Sequence, residues 1–176
     1  FVEIGSADPI KINNTYTLEK EFDWKGFMIE INPSFLKLYK QYRDKSFHII
    51  NDATKIDYVK LFKDYNAPNN IDYLQIDLEV SNRSTLTTLE KINDTIMDKF
   101  KFAVITFEHD IYRGDYFFTR KKSRKILKDR GYLLVFSDVK HHVINNGSFE
   151  DWYVHPDLVD LDFINKIITK ESLEYR

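Results

Sequence analysis

FVEIGSADP at Phe1–Pro9 and GFMIEINP at Gly26–Pro33 are the two stretches whose reading decides the fold. The first is a short apolar run that breaks at Gly5; the second is an apolar run that ends in the acid Glu30. Between them, NTYTLEKEF at Asn14–Phe22 places Tyr16, Leu18 and Phe22 near one side of a helix. Two strands joined by a helix need a crossover connection, so they lie parallel in one sheet.

The same alternation continues outward. Pro33 suits a helix's first turn, and Phe35, Leu36, Leu38, Tyr39 and Tyr42 carry a helical pattern after it. FHIIND at Phe47–Asp52 reads as a third strand, Ile56–Tyr65 as a helix, and Pro68-Asn69-Asn70 as a loop. IDYLQIDLE at Ile71–Glu79 is a fourth strand, Thr85–Met97 a helix, and FAVITFEHD at Phe102–Asp110 a fifth strand. Thr119–Asp129 is a helix stopped by Gly131, Tyr132–Asp138 a sixth strand, and Phe149–Val154 supplies a seventh before a last helix around Leu161–Ile168. The expected class is α/β: a mostly parallel seven-stranded sheet with helices on both faces. One domain is expected to span 1–176, since 176 residues suffice for one core and not for two.

Composition narrows the function. Hydrophobic residues at 43% and aromatics at 15% argue against disorder. A net charge of −2 provides no field for nucleic acid or an anionic membrane, so neither is an expected partner. The absence of cysteine excludes disulfides, thiolate nucleophiles and cysteine metal sites, and fits the reducing cytoplasm. The longest apolar runs, Phe102–Phe107 and Tyr132–Phe136, fall short of the roughly 20 residues a membrane helix needs. The sequence opens inside an apparent strand, so the natural N-terminus is expected upstream of Phe1.

Acids collect where a parallel sheet binds ligands, beyond the carboxyl ends of its strands. Asp8, Glu30, Asp52, Asp77, Glu79, Glu108 and Asp110 all fall there. Any one of them is equally well explained as a helix cap; five strand ends in succession describe an acidic rim. An acid ending the second strand, roughly twenty or more residues after a first-turn glycine, is placed to accept both hydroxyls of a ribose. A pyrophosphate wants a glycine-rich turn with few anions nearby, whereas Gly5 stands alone between Glu3 and Asp8. A phosphate-free, cationic adenosine ligand fits better, and S-adenosyl-L-methionine is one.

FVEIGSADP, NNTYTLEKEFDWKGFMIEINPSF, INDAT, IDYLQIDLEVSNRSTLTTLEKI and FAVITFEHD, in that order, resemble the FkbM-type methyltransferases. These are a branch of the class I S-adenosylmethionine-dependent enzymes. The resemblance implies a Rossmann-like sheet and methyl transfer to an oxygen of a saccharide or other small molecule. It also implies that Glu3, Gly5 and Ser6 form the cofactor turn, with Asn14 and Thr15 near the methionine end. Glu30 would bind the ribose, Ile31 and Asn32 would line the adenine side, and Asp52 with Ala53 would contact the adenine ring. Asp77 and Glu79 would face methyl donor and acceptor. The chain departs from the family in lacking a further glycine in the first turn, and in reading Val80-Ser81-Asn82 after Glu79.

An alcohol acceptor needs a base as the new bond forms. His109, between Glu108 and Asp110, is the expected one, the alternative being a histidine satisfied by neighbouring carboxylates. Asp77, Glu108 and His109 are also a candidate set for Mg²⁺. RKKSRK at Arg120–Lys125 reads first as the solvated face of a helix. No Asn or Asp is followed by Pro-Pro, the arrangement that holds an exocyclic amine in nucleic-acid methylation. The rival readings are a nicotinamide-dependent oxidoreductase, for which the glycines are missing, and a non-catalytic interaction domain.

Overall fold

The computed structural model describes residues 1–141 and 147–168. Strand and helix alternate as Val2–Ile4 (β1), Tyr16–Phe22 (α1), Phe27–Glu30 (β2), Leu36–Tyr42 (α2), Phe47–Ile50 (β3), Tyr58–Asp64 (α3) and Asn70–Ile76 (β4). There follow Ser84–Thr95 (α4), Lys101–Glu108 (β5), Phe117–Asp129 (α5), Leu133–His141 (β6), Gly147–Val154 (β7) and Leu161–Ile167 (α6). The strands form one sheet in the order β3-β2-β1-β4-β5-β7-β6. β1 to β5 pair in parallel, and β7 runs antiparallel to both β5 and β6.

Side-chain alternation along the strands gives each face its own core. On one side Ile4, Ile29, Leu74, Ile76, Ile105 and Phe107 pack with Leu86, Leu89 and Ile92 of α4 and with Leu127 of α5. The spacing of three residues that made α4 legible is the spacing that buries this stripe. On the other side Met28 packs with Phe1 and Tyr39 of α2. Each such side chain contributes about 1.5–3 kcal/mol by leaving water, which is what holds helices on both faces.

Several boundaries differ from expectation for local reasons. The helix expected from Ile56 starts at Tyr58, because the Asp57 carboxylate accepts the Lys60 N–H and caps it there. β4 stops at Ile76 rather than running to Glu79; its last tie to β1 is the Asp77 N–H donated to Ile4 O at 3.0 Å. Asp77 and Glu79 are therefore loop residues. The seventh strand begins at Gly147, earlier than Phe149, and inserts between β5 and β6.

β1 pairs with β2 on one side and β4 on the other, Ile4 opposite both Ile29 and Ile76. The chain thus leaves β1 in one direction through β2 and β3, then returns to lay β4 on β1's free edge. That reversal leaves a crevice beyond the carboxyl ends of β1 and β4, where an open α/β sheet binds its ligands.

Candidate functional site

The crevice is built around a turn only glycine fits. Gly5 has φ +88° and donates its N–H to Ile29 O at 2.9 Å. A Cβ there would lie 1.8 Å from the Asp77 carbonyl oxygen, so the turn after β1 and the loop after β4 meet at a position no side chain can enter. Glu30 then straps the turns together: Oε2 accepts the Ala7 N–H at 3.0 Å and Oε1 accepts the Asn32 N–H at 2.9 Å. Tyr39 donates its hydroxyl to Ala7 O at 2.7 Å, holding the turn from the α2 side.

Around this turn opens a cleft of about 600 Å³, with Glu3, Gly5, Glu30, Gln75, Asp77 and Glu108 among its lining. A side cavity of about 150 Å³ continues it, bounded by Asp52, Ala53 and Asn82. Glu30, Ile31, Leu78 and Glu79 line both. The two spaces share that wall, the larger being the more acidic and the smaller the more enclosed.

Its floor rests on a buried polar network. Glu3, 1% exposed, accepts from Thr15 Oγ1 at 2.8 Å and Asn13 Nδ2 at 3.2 Å, and from the Asn14 backbone. Burial pushes Glu3 up to about 7, against these hydrogen bonds and the Arg43 charge, which pull it down. Arg43 is itself fully buried, its Nε donating to Glu19 at 2.9 Å and its Nη2 to Thr15 Oγ1 at 2.6 Å. Thr15 and Asn14 thus support the turn from behind and do not line the cleft. Ser6 lines the cleft, but its hydroxyl donates back to Glu3 O at 3.0 Å.

Several rim residues spend their side chains as caps. Asp8 Oδ1 accepts the Ile10 and Lys11 N–H groups, Asn32 Oδ1 that of Ser34, and Glu79 Oε1 that of Ser81. Asp52 accepts from Thr54 N at 3.0 Å and Thr54 Oγ1 at 2.7 Å, which with Lys55 hold its carboxyl below the usual range. Asp52 and Ala53 still border the side cavity, and Ile31 stands at the junction of the two spaces.

The expected base is elsewhere. His109 is fully buried and does not line the cleft: its Nδ1 accepts the Ile111 N–H at 3.4 Å, and its Nε2 lies 3.5 Å from Asp151 and 3.6 Å from Asp138. One residue past the end of β5, its side chain projects toward β6 and β7, the opposite way from Glu108. Mg²⁺ therefore does not find Asp77, Glu108 and His109 converging. His109, Asp138 and Asp151 do offer ligand atoms within 4.8 Å of one another. Both carboxylates are already held by Arg124, and Asp138 by Arg120 as well, so their charge is balanced by guanidinium groups.

What the cleft presents instead is Glu108. Burial first, then the hydrogen-bonding proximity of Asp77 and its charge, then Asp110, hold the Glu108 carboxyl far above the ordinary range. Gln75 Nε2 donates to Asp77 Oδ2 at 3.4 Å, while the buried Gln75 Oε1 has no partner among the described residues. Gln75 escaped the sequence reading; its signal was a lone amide in the apolar strand IDYLQI.

No family model matches the sequence, and no curated protein does. Among solved structures, a Clostridium thermocellum protein assigned as an rRNA-methylase superposes with TM-score 0.50 at 15% identity, over 87% of each chain. The fold is that of a class I methyltransferase. Schizosaccharomyces pombe Dnmt2 methyltransferase aligns at TM-score 0.49 and 14% identity, over 86% of this chain and 48% of that one. TYW2 from M. jannaschii, solved in complex with AdoMet, aligns at TM-score 0.43 and 14% identity, over 88% of this chain and 68% of that one. In an open α/β sheet the crevice at the strand-order reversal is where a ligand binds, and here it offers acids at the rim, a carboxylate ending β2 and, among the described residues, a buried amide oxygen without a partner.

Proposed function

We propose that the protein is an S-adenosylmethionine-dependent methyltransferase of FkbM type, a single cytoplasmic domain that methylates a hydroxyl of a saccharide or other small molecule. The observation that carries the reading is Glu30, at the end of β2, on the shared wall of the cleft and its side cavity. Its two oxygens, each bonded to one backbone N–H, keep lone pairs free for the two hydroxyls of a ribose. Gly5 allows the backbone beside it to approach that ligand closely. Ile31, Asp52 and Ala53 would flank the adenine, and Glu3 and Asp77 would face the cationic end.

The charge of the cleft supports a small, phosphate-free acceptor. Glu3, Asp8, Glu30, Asp77, Glu79 and Glu108 line it against Lys11 and Arg113, and such a surface repels a nucleic-acid backbone. When bound, S-adenosylmethionine supplies an electrophilic methyl group; the chain's contribution is to orient donor and acceptor in line and to receive a proton.

Isothermal titration calorimetry with S-adenosylhomocysteine and with NAD tests the reading. Binding of the first and not the second is expected. NAD binding alone would point to the oxidoreductase, and binding of neither to a non-catalytic domain. Glu30→Ala is expected to weaken S-adenosylhomocysteine by about 10- to 100-fold, the worth of hydrogen bonds to a charged group.

A further inference from the structure

We infer that Glu108, paired with Asp77, is the group that takes up the proton lost by the methyl acceptor. The inference rests on the methyltransferase reading and deepens it. β4 and β5 pair in parallel with Ile76 opposite Phe107, so the next residue of each chain, Asp77 and Glu108, leaves the sheet side by side. Both line the cleft.

The groups around the pair come from every neighbouring element. From the β4 side, Gln75 donates to Asp77. After β5, Asp110 lies within hydrogen-bonding reach of Glu108, and Tyr112 is close enough to feel its charge. Arg113 neutralises one Asp110 oxygen, donating to Oδ2 at 2.8 Å. On β7, Glu150 stands opposite Glu108 in the antiparallel ladder and takes a hydrogen bond from Trp152 Nε1 at 2.6 Å. Acids outnumber cations here, and a half-buried carboxyl set against other acids, as Glu108 is against Asp77 and Asp110, resists ionising. Glu108 therefore holds a proton beside Asp77 when no ligand is bound, and a cation bound against the two displaces that proton.

Two buried oxygens, Gln75 Oε1 and Asp110 Oδ1, have no partner among the described residues. Gln75 lines the cleft, so its free oxygen is an acceptor site for the O–H or N–H of an incoming molecule beside the pair. In the transfer, the acceptor's lone pair forms the new bond to methyl carbon, the C–S pair leaves on sulfur, and the acceptor's proton passes to the Asp77–Glu108 pair, then to water. Glu108, ionised beside the sulfonium, regains its proton as the sulfonium becomes a thioether, so charge balances within the cleft.

Two measurements test this without knowing the acceptor. Calorimetry in buffers of differing ionisation enthalpy counts the protons exchanged when the whole chain binds S-adenosylmethionine, a sulfonium, or S-adenosylhomocysteine, a thioether. At pH 7, the cation is expected to release more protons, by a difference on the order of one. Glu108→Gln is expected to abolish that difference, with Asp77→Asn as the second variant should the first fail to fold. Infrared spectroscopy of the unliganded protein is expected to show a protonated-carboxyl band at pH 8 that Glu108→Gln removes. Equal proton counts for the two ligands, or a difference that survives in the variants, overturns the inference while leaving the methyltransferase reading intact. Binding of neither ligand overturns both.

Discussion

At the scale of single residues, the site depends on a few positions that tolerate no replacement. Gly5 combines a positive φ with a Cβ position 1.8 Å from the Asp77 carbonyl oxygen. Gly5→Ala is expected to cost at least about 2 kcal/mol, from left-handed strain plus displacement of the Asp77 loop, and to abolish S-adenosylhomocysteine binding in calorimetry. The glycine and Glu30 were legible because their chemistry is local: a turn needs φ > 0, and a strand end needs an acid. Arg43 was not legible, since its partners Glu19, Thr15 and Asn13 lie about 25–30 residues away in sequence. Arg43→Met would leave Glu19 buried without its guanidinium partner, and a loss of about 3–5 kcal/mol is expected in urea unfolding.

At the scale of elements, α5 shows how a charge run can serve two masters. RKKSRK reads as a solvated face, and Lys121 and Lys125 are indeed exposed. Arg120 and Arg124, one turn apart, face the sheet instead and grip Asp138 of β6 and Asp151 of β7. Burial pushes Asp151 up, but Arg124 and His109 overcome it and hold the carboxyl well below its usual value. His109, one residue past the end of β5, belongs to this clamp, its Nε2 lying beside both carboxylates. Arg124→Ala, at a partly exposed position, is expected to cost about 2–3 kcal/mol by thermal unfolding, with the deficit shrinking as acid protonates Asp151.

At the scale of the molecule, an acidic cleft makes stability depend on pH in an unusual direction. Burial raises Glu3 and Glu150 from 4.5 to about 7. The folded chain therefore holds protons there that the unfolded chain has released, and stability falls as pH rises from the unfolded to the folded value, then levels. Asp151 works oppositely, its contribution present above its unfolded value of 3.8 and lost in stronger acid. Urea midpoints are expected to be higher near pH 5 than near pH 8, and Glu3→Gln is expected to flatten that slope. A midpoint that rises steadily from pH 5 to 8 would contradict the assignment. Among the described residues no helix is long and apolar enough to cross a membrane.

The sequence by itself determined the alternation of strand and helix, the α/β class, the glycine turn and the acids at the strand ends, because periodicity, turn conformation and capping are properties of neighbours in the chain. Only the tertiary structure decided which acids do what. Sheet order placed β7 between β5 and β6 and so drew His109 to Asp138 and Asp151. Parallel register set Asp77 beside Glu108. Whether a carboxylate caps a turn, braces an arginine or holds a proton depends on burial and on partners brought from distant elements, and a linear pattern carries neither.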